Sequence, residues 1–321
     1  MFTYDAAQQA LGFLVSQTSH IETQAYQVQY PDIQYPALIP VDSSANQWAT
    51  GVTFYSMDKV GQADWFSHLA KDIPLADVER QQFEHPIEMA AIGYRYSLQE
   101  LGQAALIPGT NLSADRAVAA VRSYEEFMDG VALRGVPPIG KTKGWSGLIN
   151  DPNVIAGNVA NDGVGGGGNS TKWVNKTPTQ ITRDVNNLLS GVYQESLTVE
   201  MADTLLLPVA HLDYISTTPR SDLTETTILE YLRRSNTYTA ITGQPLTIRA
   251  VRGLETAGAG NTARMIAYRR DPQVVKLHLP MPHRFLPVWQ TGPLVFDIPG
   301  IFRTGGVEIR RPKAFRYGDG I

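Results

Sequence analysis

The sequence predicts an α+β fold, with helices and strands gathered in separate stretches instead of alternating regularly. Three observations carry that prediction. Apolar residues recur at three- and four-residue steps across residues 113–134, the period of a long helix. A second helical stretch opens at Thr177-Pro178. Beyond residue 200 the apolar runs are short and strand-like, in PLTIRAV, ARMIAYRR, VVKLHLPM and VEIRRPKAFRY. With 321 residues, 43% of them hydrophobic, the chain can bury a large core, as two or more packed units or as one elaborate fold. Only 18% of residues are charged, as expected of a surface that meets other subunits.

Residues 1–47 read as an arm. Ala6, Ala10, Phe13 and Leu14 have helical spacing, but the segment then becomes AYQVQYPDIQYPALIPV, where Pro31, Pro36 and Pro40 interleave with Tyr26, Tyr30 and Tyr35. Proline at that density opposes helix and favours extended chain. The arm's rings are therefore expected to find burial on a neighbouring subunit. Next, GVTFYSMDKV at 51–60 alternates like a strand, and IEMAAIGYRY at 87–96 reads as its partner. The polar segment between them carries Trp65, Phe66 and the charge pairs Lys71-Asp72 and Glu79-Arg80, and makes a long projecting tip. An isolated hairpin is marginal in water, so it too wants a partner surface.

Ser97–Glu100 (SLQE) is a capping box that starts a short helix ending near Leu106, before Pro108-Gly109. The long helix follows, capped by Asn111 or Ser113, with Ala117, Val118, Val121, Tyr124, Met128 and Val131 expected on its buried face. At roughly 21 residues it spans about 30 Å. Gly130 lies inside it, and Gly135 suits the position just past its end, ahead of Pro137 and Pro138. A glycine-rich loop then fills about 140–176, with GVGGGGNS as a flexible tip. Thr177-Pro178 opens the next helix, whose buried face is Ile181, Val185, Leu188, Leu189 and Val192. TLLLPVAHLDYI (204–215) reads as one buried strand, and a third helix, capped near Thr224, carries Ile228, Leu229 and Leu232.

Several chemistries are excluded or disfavoured. Cysteine is absent, which removes disulfides, thiolate nucleophiles and cysteine-held metals. His20, His68, His85, His211, His278 and His283 match no metal-ligand spacing, and Ser146 in KGWSGL misses the G-x-S-x-G elbow. GVGGGGNS lacks the strand-to-helix context of a dinucleotide fingerprint. Gly135–Thr142, GVPPIGKT, does satisfy G-x-x-x-x-G-K-[ST], so an NTP-binding enzyme using Lys141 stands as a remote alternative. Against it, a helix precedes the motif where a strand is needed, and Pro137 and Pro138 offer no N–H to a phosphate. No cofactor, catalytic residue or metal ligand is assigned. The net charge is −4 with no Lys/Arg run longer than a pair, so no basic footprint for gripping nucleic acid exists. No apolar run is long enough to span a membrane, and MFTYDAAQQA lacks the basic front of a signal peptide. Synthesis in the cytoplasm is the expectation.

The order of elements resembles the tailed-phage major capsid protein, the Hong Kong 97-type fold shared with encapsulins. The residues that carry the resemblance are YRYSLQELGQA (94–104), the helix 113–134, RGVPPIGKTKGWSGLINDPNV (134–154) with its G…G-L-x-N form, ADTLLLPVAHLDYI (202–215) and GGVEIRRPKAFRYGDGI (305–321). The resemblance implies an N-terminal arm at 1–47 and an extended hairpin loop at 48–96. It implies a peripheral domain at 97–200 and 272–304 with a spine helix at 113–134, and an axial domain at 201–271 and 305–321. It further implies self-assembly, as pentamers and hexamers, into an icosahedral shell around double-stranded phage DNA that is not bound sequence-specifically. Portal, scaffold or cement proteins would be partners, and the site would be the virion, assembled in the host cytoplasm. No scaffold-like prefix precedes the arm, so any scaffold is expected to be separate or removed. Tyr26, Tyr30, Tyr35, Trp65, Phe66, Lys71, Asp72, Glu79 and Arg80 become assembly contacts, and Gly130, Gly135, Gly144 and Gly147 hinge or loop positions. Two alternatives are an encapsulin-type compartment around a protein cargo and a soluble binding module of a few subunits.

Overall fold

The structure is a computed structural model that describes residues 32–60, 77–104, 112–138, 144–165, 168–221 and 223–321. At its centre is a five-stranded mixed sheet. Thr204–Leu207 pairs in parallel with Thr247–Ala250 and antiparallel with Arg264–Tyr268; Phe315–Asp319 and the edge strand Ile155–Asn158 complete it. Successive side chains point to opposite faces. Leu206, Ile266, Tyr268, Phe315 and Tyr317 therefore enter one core, and Leu205, Leu207, Met265 and Ala267 the other. TLLL and RMIAY are buried at every position because both faces are covered.

The first face is covered by the C-terminal half of the long helix Leu112–Arg134, through Tyr124, Met128, Ala132 and Leu133. The helix Pro178–Glu195 covers the second, through Ile181, Val185, Leu188, Leu189 and Val192, all as the spacing predicts. Its start is a complete capping box between Thr177 and Gln180. Val209–Thr217 and Ile228–Arg234 pack on the same side, through Ile215, Ile228 and Leu232.

The end of the long helix is closed by a distant stretch of the same loop. Gly135 turns left-handed (φ +73°), and GWSGLIN folds back under the helix. There the N–H of Leu148 donates to Ala132 O (2.9 Å), that of Ile149 to Leu133 O (3.1 Å), and Asn150 Nδ2 to Arg134 O (2.8 Å). Three of the four carbonyls that a helix end leaves open are thereby used. Asn150 Oδ1 in turn accepts from the Gly147 N–H at 2.7 Å. At Gly147 any Cβ would stand 2.2 Å from Leu133 O, so the approach requires glycine. Two buried phenols tie this region to the sheet: Tyr317 donates to Leu148 O (2.7 Å) and Tyr268 to Leu38 O (2.8 Å). Arg264 grips Asp319 in bidentate fashion (2.6 and 2.9 Å) and donates to Ile149 O (2.7 Å).

Several expectations are corrected. The proline-rich arm is not extended throughout: Tyr35–Leu38 is one helical turn with Pro36 in its first positions, where a missing N–H costs nothing. Asp129 of the long helix accepts from the Gln34 and Tyr35 N–H groups, both at 2.9 Å, and Val41–Asp42 pairs in parallel with Val275–His278. The hairpin's second strand is Asp77–Pro86, not 87–96; that polar segment has no buried face and so no apolar alternation to read. Residues 87–96 split instead into Glu88–Ala91, paired with Gly300–Thr304, and Tyr94–Ser97, paired with Val295–Ile298. The strand expected at 204–215 stops at Leu207 because Pro208 cannot donate to a ladder and its fixed φ starts a helix. The third helix is capped by Thr227, since Thr224–Thr227 is a strand. The glycine-rich tip is partly a small hairpin, Gly163–Gly165 with Gly168–Ser170. Thr237–Thr242, capped by Asn236, is an additional helix.

The helix-end closure makes two quantitative predictions, both measured by denaturant unfolding of the unassembled chain. Gly147→Ala is expected to cost about 2–3 kcal/mol, because backbone must move on both sides. Asn150→Ala is expected to cost about 1–2 kcal/mol for its two hydrogen bonds. Wild-type stability in Gly147→Ala would show that the loop is free to leave the helix end.

Candidate functional site

The features that set this protein apart lie on its outside. Gly51–Val60 and Asp77–Pro86 pair along their whole length, from Gly51 opposite Pro86 to Val60 opposite Asp77. Eight of the ten positions on the second strand are exposed. Directly opposed residues share a face, which places Tyr55, Met57, Val78 and Arg80 on one side and Phe54, Phe83, Glu79 and His85 on the other. Tyr55 and Met57 are 65% and 64% exposed.

Among the described residues, the hairpin is held to the body at its base. Trp145 Nε1 donates to Pro86 O (3.1 Å), the Ile87 N–H to Thr50 O (3.0 Å), and His85 Nε2 to Gly305 O (2.5 Å). Phe54 stacks on Phe83 at 5.2 Å, and the Arg310 guanidinium stands 4.7 Å over the Phe54 ring.

A second bare surface runs along the first half of the long helix. Val118 is 68% exposed, and Val121 is exposed as well. Helical spacing puts Val118 and Val121 in the apolar set, but the sheet lies only under the later turns, so their stripe emerges from the core uncovered. The short helix Leu98–Ala104 adds exposed Leu98 and Leu101. It starts with the predicted capping box, Ser97 N–H to Glu100 at 3.0 Å and Glu100 N–H to Ser97 Oγ at 3.1 Å. Arg116 of the long helix binds Glu100 at 3.2 Å and fixes the two helices together.

The sequence-predicted contact residues are distributed unevenly. Tyr35 is only 8% exposed and packs in the protomer's own core, so its expected place on an extended arm is wrong; burial raises its phenol pKa, as it pushes that of Tyr124 up to about 12. Glu79 and Arg80 are exposed on opposite faces of the hairpin. Tyr26, Tyr30, Trp65, Phe66, Lys71 and Asp72 lie outside the described residues. Gly130 is exposed within an unbroken helix, with open space where a Cβ would go. Gly144, like Gly135, is left-handed (φ +72°). Sequence reasoning missed Asp129 and Trp145 as anchors; neither sits in a pattern that differs from an ordinary helix or loop residue.

Gly135–Val136 pairs with Trp145–Ser146, so the P-loop-like stretch follows a helix and enters a small hairpin; Lys141 and Thr142 lie outside the described residues. Ser146 Oγ donates to Asp151 Oδ2 (2.7 Å), a loop-shaping contact. Among the described residues no group of three His, Asp or Glu side chains is placed to hold a metal ion. No described helix is long and apolar enough to cross a membrane.

Comparison with known proteins places these surfaces in a family. No curated protein sequence matches the chain. Among solved structures, the capsid of Myoviridae phage XM1 is similar, with a TM-score of 0.79 and 17% identity over 95% of this chain and 98% of that one. A structure from Mycobacterium phage Ogopogo gives 0.59 and 13% over 95% and 98%, and the capsid of a native GTA particle gives 0.60 and 10% over 99% of both. At such identities the likeness is one of fold, the Hong Kong 97-type capsid fold. The model of the family described as "Major capsid protein" matches residues 61–321. The chain therefore belongs to the major capsid protein family, the structural proteins that form phage shells.

Proposed function

We propose that this shell is icosahedral, is built from pentamers and hexamers of the chain, and encloses double-stranded DNA. The observation that carries the reading is the hairpin: two ten-residue strands with exposed apolar side chains, anchored among the described residues at the base, are a surface that other copies of the chain complete. Distributed contacts suit a closed shell, in which each interface is modest and the number of interfaces is large. In this reading Glu79 contacts a neighbour on one side of the hairpin while Arg80, with Tyr55 and Met57, contacts another surface on the opposite side. The arm upstream of residue 32 and the hairpin tip with Trp65, Phe66, Lys71 and Asp72 complete the contacts. The net charge of −4 suits an inner wall that lets DNA be packed without gluing it in place. Portal, scaffold or cement proteins would complete the particle in the host cytoplasm, and the peripheral and axial domains divide as the resemblance implies.

Overexpressed chain is expected to form closed shells in negative-stain images and megadalton particles by light scattering. Particles recovered from infected cells are expected to hold nuclease-protected DNA; a co-purifying protein cargo instead would overturn the DNA reading and leave the shell intact. Replacing Tyr55 and Met57 together with Ser removes burial of about 3 kcal/mol per subunit, or about hundredfold in each association step. Shell formation should fail while the unfolding midpoint of the protomer stays put. Gly130 lowers the cost of bending the long helix, so Gly130→Ala, which adds about 1 kcal/mol of helix preference, is expected to slow any expansion of assembled shells. Time-resolved scattering checks this, and unchanged expansion kinetics remove the hinge role.

A further inference from the structure

A buried polar cluster joins the hairpin to the body of the protomer, and neither the core nor the assembly surfaces account for it. His85, next to last in the hairpin's second strand, stands ring to ring with His278 at 5.3 Å. His278 is buried, and its Nε2 lies 2.5 Å from Oε2 of the buried Glu308. Its other nitrogen, Nδ1, has no hydrogen-bond partner and lies 3.9 Å from Asp42 Oδ2. Asp42 is held by Lys276 Nζ at 2.5 Å; Glu308 forms an ion pair with Arg310 Nε at 3.2 Å.

The groups that face His85 can be named element by element. The strand Val275–His278 brings Lys276 and His278, and the strand Gly306–Ile309 with the residue after it brings Glu308 and Arg310. The arm brings Asp42, and on the hairpin itself Glu84 points to the opposite face. Two carboxylates therefore face two fixed cations, and a proton on His85 adds a charge that the His278 ring, 5.3 Å away, and Arg310 both oppose.

We propose that His85, seated on His278 and Gly305, is a proton-operated latch at the hairpin's base, which holds the hairpin at one angle while His85 is neutral and releases it when His85 is charged. Release is a swing, not an unfolding, since Pro86 O keeps its bond from Trp145 and Thr50 O its bond from Ile87. What the latch loses is the His85 to Gly305 contact and the stack of Arg310 on Phe54, which leads the hairpin's core face onto the body.

The direction with pH follows from the burial. Desolvation foremost, with repulsion from His278 and Arg310, outweighs the Gly305 carbonyl and Glu308 and lowers the His85 pKa below its ordinary 6.5 in the latched state. Once swung into water the ring regains that ordinary value. The released form thus binds more protons, the latch is fully stable above about pH 6.5, and it weakens by up to about tenfold per pH unit below that.

The test is the distance between spin labels on Gln82→Cys in the hairpin and Lys313→Cys in the body, introduced into a chain that otherwise lacks cysteine and measured on the unassembled chain between pH 8 and pH 5. The readout follows the angle of the hairpin and is independent of whether assembly succeeds. The labelled chain is expected to hold one distance above about pH 6.5 and to shift toward a second, the released population rising by up to about tenfold per pH unit below that. His85→Gln, which keeps a donor for Gly305 O but cannot charge, is expected to keep the first distance throughout. His85→Phe should show the second distance at every pH, and His278→Gln should blunt the transition by removing a group that opposes charge on His85. One unchanging distance in the labelled chain at all pH values, or an unchanged acid transition in His85→Gln, overturns the latch.

Discussion

Burial of both faces of one sheet is the constraint on which the rest of the protomer depends. Leu205 and Leu207 point to one core and Leu206 to the other, and the same alternation runs through Met265 to Tyr268. A sheet in that position needs two covers, and the chain supplies one long helix to each side. Because the sheet lies under only the last turns of Leu112–Arg134, the first turns extend past it with Val118 and Val121 bare. The same geometry that makes a stable centre therefore leaves apolar surface at the periphery.

Polar anchors hold the pieces that hydrophobic contact alone would let slide. Asp129 caps a single turn of the arm some 90 positions away in sequence, Asn150 closes the end of the long helix, and Arg264 with Asp319 locks the C-terminal strand to the GWSGLIN loop. Glu200 gathers Arg269 and Arg311 on the opposite side of the sheet's end. All of these contacts but that of Asn150, which reaches back 16 residues, join segments far apart in the chain. The hairpin differs: among the described residues its base is fastened by three hydrogen bonds and two ring contacts, and no described contact to the body runs along its length. A packed body with one projecting ribbon that carries exposed apolar side chains is a form suited to a subunit that finishes folding on its neighbours.

The likeness to phage capsids at 10–17% identity over almost the whole chain is consistent with that division of labour. Alternation in the sheet and the period of the two long helices tolerate most apolar exchanges.

Local chemistry in the sequence was enough for the elements whose signals are local: the SLQE and Thr177 caps, the glycine at the end of the long helix, the buried stripe of Pro178–Glu195, and the absence of any block of basic residues. It was also enough for the order of elements that identifies the family. It misplaced the hairpin's second strand, because a strand with no buried face shows no alternation, and it carried a strand through Pro208, where apolar content hides the switch to helix. Tyr35 was legible as an aromatic that needs burial, but whether it buries in its own subunit or another depends on Asp129, which approaches only when the chain has folded. The meeting of His85 with His278 and Glu308 belongs to the tertiary structure alone, since register across three strands, and not any spacing along the chain, brings those groups together.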